Sequence, residues 1–160
     1  MKYEFTAERL AEFQRVKAKY ERPRSALLPV LYLAQEQWSY LSDEALNYVA
    51  TLLDIPPREV FEAASFYTMF RRKDMGKHCL QVCNNITCTL MGSEALFKTL
   101  HDDLGVGLSE ATKDGLFSIV AVQCLGSCGT APVVQINDDY HENMTCELLR
   151  ETIQKLRRGK

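Results

Sequence analysis

The distribution of sulfur constrains this chain more than any other feature. None of its six cysteines lies in the first 78 residues, and five fall between Cys79 and Cys128. Four of them form two pairs, Cys83-Asn84-Asn85-Ile86-Thr87-Cys88 and Cys124-Leu125-Gly126-Ser127-Cys128, spaced C-x4-C and C-x3-C. Each pair begins at the end of a segment rich in strand formers, His78 to Val82 and Phe117 to Val122. Between these segments, after Gly92, Leu96, Phe97 and Leu100 define one face of a helix, with Ser93 a candidate N-cap. A helix carried between two strands predicts a parallel, right-handed crossover. Parallel neighbours bring both pairs to one edge of the sheet, where α/β architectures carry their ligands.

The two halves have different rhythms. In the first, Leu10, Phe13, Val16 and Tyr20 make an apolar stripe, which Glu21-Arg22-Pro23 interrupts. Leu27, Leu28, Val30, Leu31 and Leu33 predict a buried helix, provided Pro29 sits in its opening turn, where a missing donor costs little. Ser42 is a candidate N-cap ahead of Asp43 and Glu44, with Leu46, Val49, Leu52 and Leu53 behind them. After Pro56-Pro57, Val60, Phe61, Ala64 and Tyr67 share a stripe, so four helices should end near Phe70. In the second half, Asp114-Gly115 marks a turn. Val133 to Ile136 and Tyr140 to Asn143 suit a hairpin around Asn137-Asp138-Asp139, and Glu147 to Leu156 a closing helix with Leu148, Leu149, Ile153 and Leu156 apolar. The expected fold class is α/β, with a helical N-terminal domain over residues 1–75 and a small α/β sandwich over 76–160.

Soft thiolates suit zinc or an iron–sulfur cluster. A [2Fe–2S] cluster takes two thiolates per iron, which assigns Cys83 and Cys88 to one iron and Cys124 and Cys128 to the other. A structural zinc held by four cysteines stays open on spacing alone, although zinc sites more often use C-x2-C pairs. Thiol–disulfide exchange is the weaker alternative, because no C-x-x-C occurs. Gly126 and Gly129 would let backbone amides approach sulfur and tune a reduction potential. Cys79, four residues before Cys83, reads as a core thiol or an alternative ligand, and Cys146 as structural. His78, His101 and His141 lack metal-ligand spacing, which argues against a Rieske-type site.

A formal net charge of −2 without a long basic run gives no electrostatic reason to expect nucleic acid. The N-terminus is charged, and the longest apolar run, Ala26 to Ala34, contains Pro29 and is too short to span a bilayer. The expectation is a cytoplasmic protein without direct membrane insertion, held at the inner membrane, if at all, by other subunits. Six cysteines in that compartment do not read as a disulfide framework.

Several longer motifs then carry a resemblance. They are Ala64-Ser65-Phe66-Tyr67-Thr68-Met69-Phe70, Val82-Cys83, Cys88-Thr89-Leu90-Met91-Gly92 and Thr112-Lys113-Asp114-Gly115, followed by Gln123 to Cys128, Ala131-Pro132 and His141-Glu142-Asn143-Met144-Thr145. With these the chain resembles, over almost its whole length, the 24-kDa-type thioredoxin-like [2Fe–2S] subunits of NADH:quinone oxidoreductase. The resemblance implies a thioredoxin-like [2Fe–2S] ferredoxin domain behind a helical region, and the ligand role for Cys83, Cys88, Cys124 and Cys128. It implies an electron-transfer component that exchanges single electrons beside a flavoprotein partner, which binds NADH and FMN and carries a [4Fe–4S] centre. Equivalent subunits serve NAD-linked hydrogenases and formate dehydrogenases, and a zinc-stabilised interaction subunit is the alternative of another class. Cys146 stands where the family pattern has Pro, which bears on where the last helix starts. The segment Phe66 to Phe70 reads as core packing or as partner contact, and Trp38 as a packing residue.

Overall fold

The computed structural model describes residues 3–159. The chain divides into two compact units, one ending at Asp74 and the other beginning at Met75.

The first unit is helical: α1 (Ala7–Lys17), a short 3₁₀ turn (Pro23–Ala26), α2 (Leu27–Trp38), α3 (Asp43–Leu53) and α4 (Pro57–Phe66). Side-chain caps start two of these helices. Thr6 accepts from the Arg9 amide and Ser42 from the Ala45 amide, each at 3.2 Å. Pro29 is the third residue of α2, so its missing N–H falls among donors that have no intrahelical partner anyway. Val30, Leu31, Val49, Leu53 and Val60 are fully buried in one core. Trp38 packs among aromatic rings, 5.3 Å from Phe5 and 5.8 Å from Tyr48.

The apolar stripes are narrower than the sequence pattern predicts. On α1 only Phe13 is buried; Leu10 is exposed, and Tyr20 lies beyond the helix end. On α4, Phe61 is exposed under the Arg72 guanidinium, 5.0 Å from the ring centroid, a contact that needs no core. The helix stops at Phe66, so Tyr67 leaves the stripe. The aromatic segment therefore splits: Phe70 is buried with its ring 5.2 Å from Tyr32, whereas Phe66 is 77% exposed and Tyr67 and Met69 are exposed as well.

The second unit is built on a four-stranded sheet in the order β2-β1-β3-β4, formed by β1 (His78–Cys83), β2 (Phe117–Val122), β3 (Val134–Ile136) and β4 (Asp139–His141). Its helices are α5 (Ile86–Leu90), α6 (Ser93–Leu104) and α7 (Cys146–Arg158), with a 3₁₀ turn at Cys128–Thr130. β1 and β2 are parallel and in register from His78 opposite Phe117 to Cys83 opposite Val122. Leu80 and Val82 point to one face of β1 and join Leu96, Leu100, Phe117 and Leu149 in the core.

Local details differ from the sequence reading. The hairpin is tighter than expected: Asp139 pairs with Ile136, which leaves Asn137 and Asp138 as the turn, with Asn137 in the left-handed region (φ 55°). Ser93 is not an N-cap but the first residue of α6; Gly92 takes the cap position with φ 102°, and the Ser93 hydroxyl has no partner among the described residues. On α7, Leu149 and Ile153 are buried but Leu148 is exposed, because this strongly charged helix buries only a thin stripe. Cys146 opens α7, capped by Thr145, whose hydroxyl accepts from the Leu148 amide at 3.2 Å. Among the described residues, no helix is long and apolar enough to cross a membrane.

Candidate metal centre

The parallel β1–β2 register decides where the paired cysteines go. Cys83 ends β1, opposite Val122 at the end of β2, and the Asn84 amide still donates to the Val122 carbonyl at 3.0 Å. Both chains then leave the sheet at the same edge. The first enters α5, which the sequence pattern does not announce, and this single turn carries Cys88. The second runs through Gln123 to Cys124 and into the 3₁₀ turn, whose first residue is Cys128.

Cys83 and Cys88 are 3% and 2% exposed and form a small apolar nest with Ala131, flanked by Val122 and Leu125. Cys124 and Cys128 are exposed. Burial pushes the Cys88 thiol up, its hydrogen-bonding contact with Cys83 adds to this, and the Val133 backbone amide opposes it. Charge on Cys83, and last on Cys128 of the second pair, raises it further. Cys79 lies at the far end of β1, four residues or about 13 Å of strand from Cys83, buried and opposite Ser118. Cys146, on α7, packs against the sheet core.

Backbone and side-chain dipoles organise the loops around these sulfurs. The Gly126 amide donates to Cys124 Sγ at 3.2 Å. Gly126 has φ 74°, which explains the glycine; a Cβ there, or at Gly129, would meet no atom within 4 Å, so close packing does not require either one. The Gln123 carbonyl accepts from Asn85 Nδ2 at 2.9 Å and lies 4.0 Å from Cys83 Sγ. Tyr140, on β4, donates its hydroxyl to the Leu125 carbonyl at 2.8 Å. Asn85 and Tyr140 were not legible as site residues, because each acts across a loop and neither belongs to a spacing motif. Two of the three histidines are engaged elsewhere: the His78 ring packs 5.6 Å from Phe117, and His101 Nδ1 lies 3.1 Å from the Val106 carbonyl, while His141 ends β4.

Among the described residues, no group of three or more histidine, cysteine, aspartate or glutamate side chains is assembled as a single-ion site. A two-iron cluster asks for two pairs of thiolates instead. The arrangement fits that demand: burial pushes the Cys88 thiol up, so its ionisation is favoured by added positive charge, which a ferric ion would supply.

Residues 13–157 match the family described as thioredoxin-like [2Fe–2S] ferredoxin. The chain is 44% identical over 158 residues to the E subunit of the NADH-quinone oxidoreductase of Rickettsia bellii, covering 97% of this chain and 95% of that protein. It is 42% identical over 146 residues to the mitochondrial NADH dehydrogenase [ubiquinone] flavoprotein 2 of Dictyostelium discoideum, covering 89% of this chain and 59% of the relative. Among solved structures, it is similar to an NAD+-reducing [NiFe]-hydrogenase crystallised in the H2-reduced state, with a TM-score of 0.73 and 24% identity over 82% of this chain. The chain spans 22% of that hydrogenase chain, and at this identity the likeness is one of fold.

Proposed function

Because the chain belongs to the thioredoxin-like [2Fe–2S] ferredoxin family, we propose that one [2Fe–2S] cluster is held by Cys83 and Cys88 on one iron and by Cys124 and Cys128 on the other. The chain is an iron–sulfur electron-transfer subunit of NADH:quinone oxidoreductase. A cluster of this kind supplies one-electron exchange with no covalent contact to substrate. The observation that supports the ligand assignment is the parallel register that ends with Cys83 opposite Val122, from which both cysteine-bearing loops leave the sheet at one edge.

The chain's own residues perform the remaining tasks. Cys83 and Cys88 lie in the apolar nest, which keeps water from two of the four sulfurs. Cys124 and Cys128 remain exposed, on the side from which an electron donor can approach. The partner is a flavoprotein subunit that holds NADH, FMN and a [4Fe–4S] centre. Phe66, Tyr67 and Met69 form an exposed aromatic and methionine surface of the kind enriched at interface cores, and we assign it to partner contact. Attachment to a membrane falls to other subunits, on the cytoplasmic side.

Metal and acid-labile sulfide analysis of anaerobically purified protein tests the assignment, together with electron paramagnetic resonance after reduction. About two irons and two sulfides per chain, with one spin on reduction, are expected. One zinc and no sulfide under cluster-preserving conditions would establish the zinc-stabilised reading instead.

A further inference from the structure

The loop that carries Cys124 and Cys128 is exposed, yet it is pinned from the far side of the sheet. Tyr140 holds the Leu125 carbonyl, and the Asn143 and Met144 amides donate to the carbonyls of Thr130 and Pro132 at 2.7 and 2.9 Å. Between these contacts stands Glu142. Its Oε1 accepts from Thr130 Oγ1 at 2.7 Å and from Ser127 Oγ, and the two hydroxyls are themselves 2.7 Å apart. Ser127 immediately precedes Cys128, and Thr130 closes the 3₁₀ turn that Cys128 opens. One carboxylate oxygen thus gathers both ends of the turn. The same two hydroxyls hold the Glu142 carboxyl below the usual carboxylate range, so it is ionised near neutral pH.

An all-cysteine cluster gains negative charge on reduction, so a fixed anion beside its loop opposes the incoming electron. We propose that Glu142 is a positioning residue that fixes the Cys124–Cys128 loop and, through its charge, makes a cluster held there harder to reduce. The inference rests on the ligand assignment above and names a residue that regulates that site. A unit charge at a separation on the order of 10 Å, acting through an effective dielectric of about 20, changes an equilibrium roughly tenfold. For one electron, a tenfold change is about 59 mV.

The test is a redox titration, followed by electron paramagnetic resonance, of the full cluster-loaded chain as wild type, Glu142→Gln and Glu142→Asp. Wild type that lacks two irons and two sulfides overturns the ligand assignment itself, before any variant is compared. With the cluster present, Glu142→Gln keeps an acceptor for both hydroxyls but loses the charge. Its reduction equilibrium should favour the reduced form by about tenfold more than wild type. That difference should shrink as salt is added, as expected for an exposed charge. An unchanged potential in a fully loaded Glu142→Gln chain overturns the proposal. Should that variant fail to load, Glu142→Asp decides. Its charge remains but its shorter arm cannot reach both hydroxyls, so it should keep the wild-type potential and yield iron to a chelator several-fold faster. A wild-type rate of iron loss overturns the proposal.

Discussion

Asn85 Nδ2 donates to the Gln123 carbonyl at 2.9 Å, a bond across 38 positions that ties the loop of one cysteine pair to the loop of the other. The same side chain accepts from the Ile86 amide at 2.8 Å at the start of α5, the turn that carries Cys88. Asn85→Ala removes both contacts. Loss of a capping side chain costs about 1 kcal/mol, and the two loops lose a direct cross-link. The expected outcome is faster iron loss to a chelator with the unfolding midpoint lowered by only about 2–4 °C, because Asn85 is exposed and outside both hydrophobic cores. Chelator kinetics and thermal melts on the same preparation separate these effects. Equal rates of iron loss would remove Asn85 from the site.

The paired cysteines should separate into two kinds when each is changed to serine. All four substitutions replace a soft ligand with a hard one, so all should abolish the cluster or alter its spectrum sharply. Only Cys83 and Cys88 also sit in an apolar nest. A serine hydroxyl buried there without a partner costs about 1–3 kcal/mol, whereas the exposed positions 124 and 128 carry no such penalty. Denaturant unfolding of the cluster-free variants should therefore show Cys83→Ser and Cys88→Ser as the less stable pair. Serine at Cys79 or Cys146 should leave the spectrum near wild type. Full iron content with an unchanged spectrum in Cys124→Ser would exclude that residue as an obligatory ligand.

What could be read from the residues depended on the range of the interaction. The strands at His78 and Phe117 announced themselves by composition, and their parallel pairing followed from the helix between them. The cap at Ser42 was equally local, three residues from the amide it meets. Helix α5 was not legible, because one turn of Ile86 to Leu90 is too short for periodicity to register, and its Ile86 and Leu90 face solvent. Leu148 was misplaced for the opposite reason: a periodic apolar residue need not lie on the buried stripe of a charged helix. Asn85, Tyr140 and Glu142 act on residues 12 to 38 positions away, and no local pattern encodes such a bond.

His78 gives the second unit a pH-dependent component of stability. Burial lowers its affinity for a proton, and the positive charge of Lys77 lowers it further. The folded state therefore protonates at lower pH than the unfolded state, whose imidazole titrates near about 6.5. This contribution is fully present above that value and is lost as pH falls through the lowered folded value. His78→Gln should make the unfolding midpoint less dependent on pH between neutrality and mild acid. Denaturant titrations of the loaded protein at several pH values in that window measure it. Identical pH slopes for wild type and variant would show that His78 does not contribute.

The division of labour between subunits yields the last expectation. NADH delivers a hydride, which carries two electrons, whereas a single [2Fe–2S] centre accepts one. A chain holding one such centre must leave the splitting of the pair to a flavin, which we place in the partner subunit. Purified, cluster-loaded chain should accept one electron from a chemical reductant. It should not sustain NADH oxidation, even when an artificial acceptor is supplied. Added flavoprotein should confer that activity, and the exposed surface of Phe66, Tyr67 and Met69 provides a second handle on the same assembly. Phe66→Asp places a charge on a side chain that is 77% exposed in this unit, so the fold should survive while association with the flavoprotein weakens by at least tenfold. Analytical ultracentrifugation measures the association, and the NADH-to-acceptor rate measures its consequence. Sustained NADH oxidation by the flavin-free chain alone would refute the division. Unchanged association of the Phe66→Asp variant would instead move the interface away from that surface and leave the electron accounting intact.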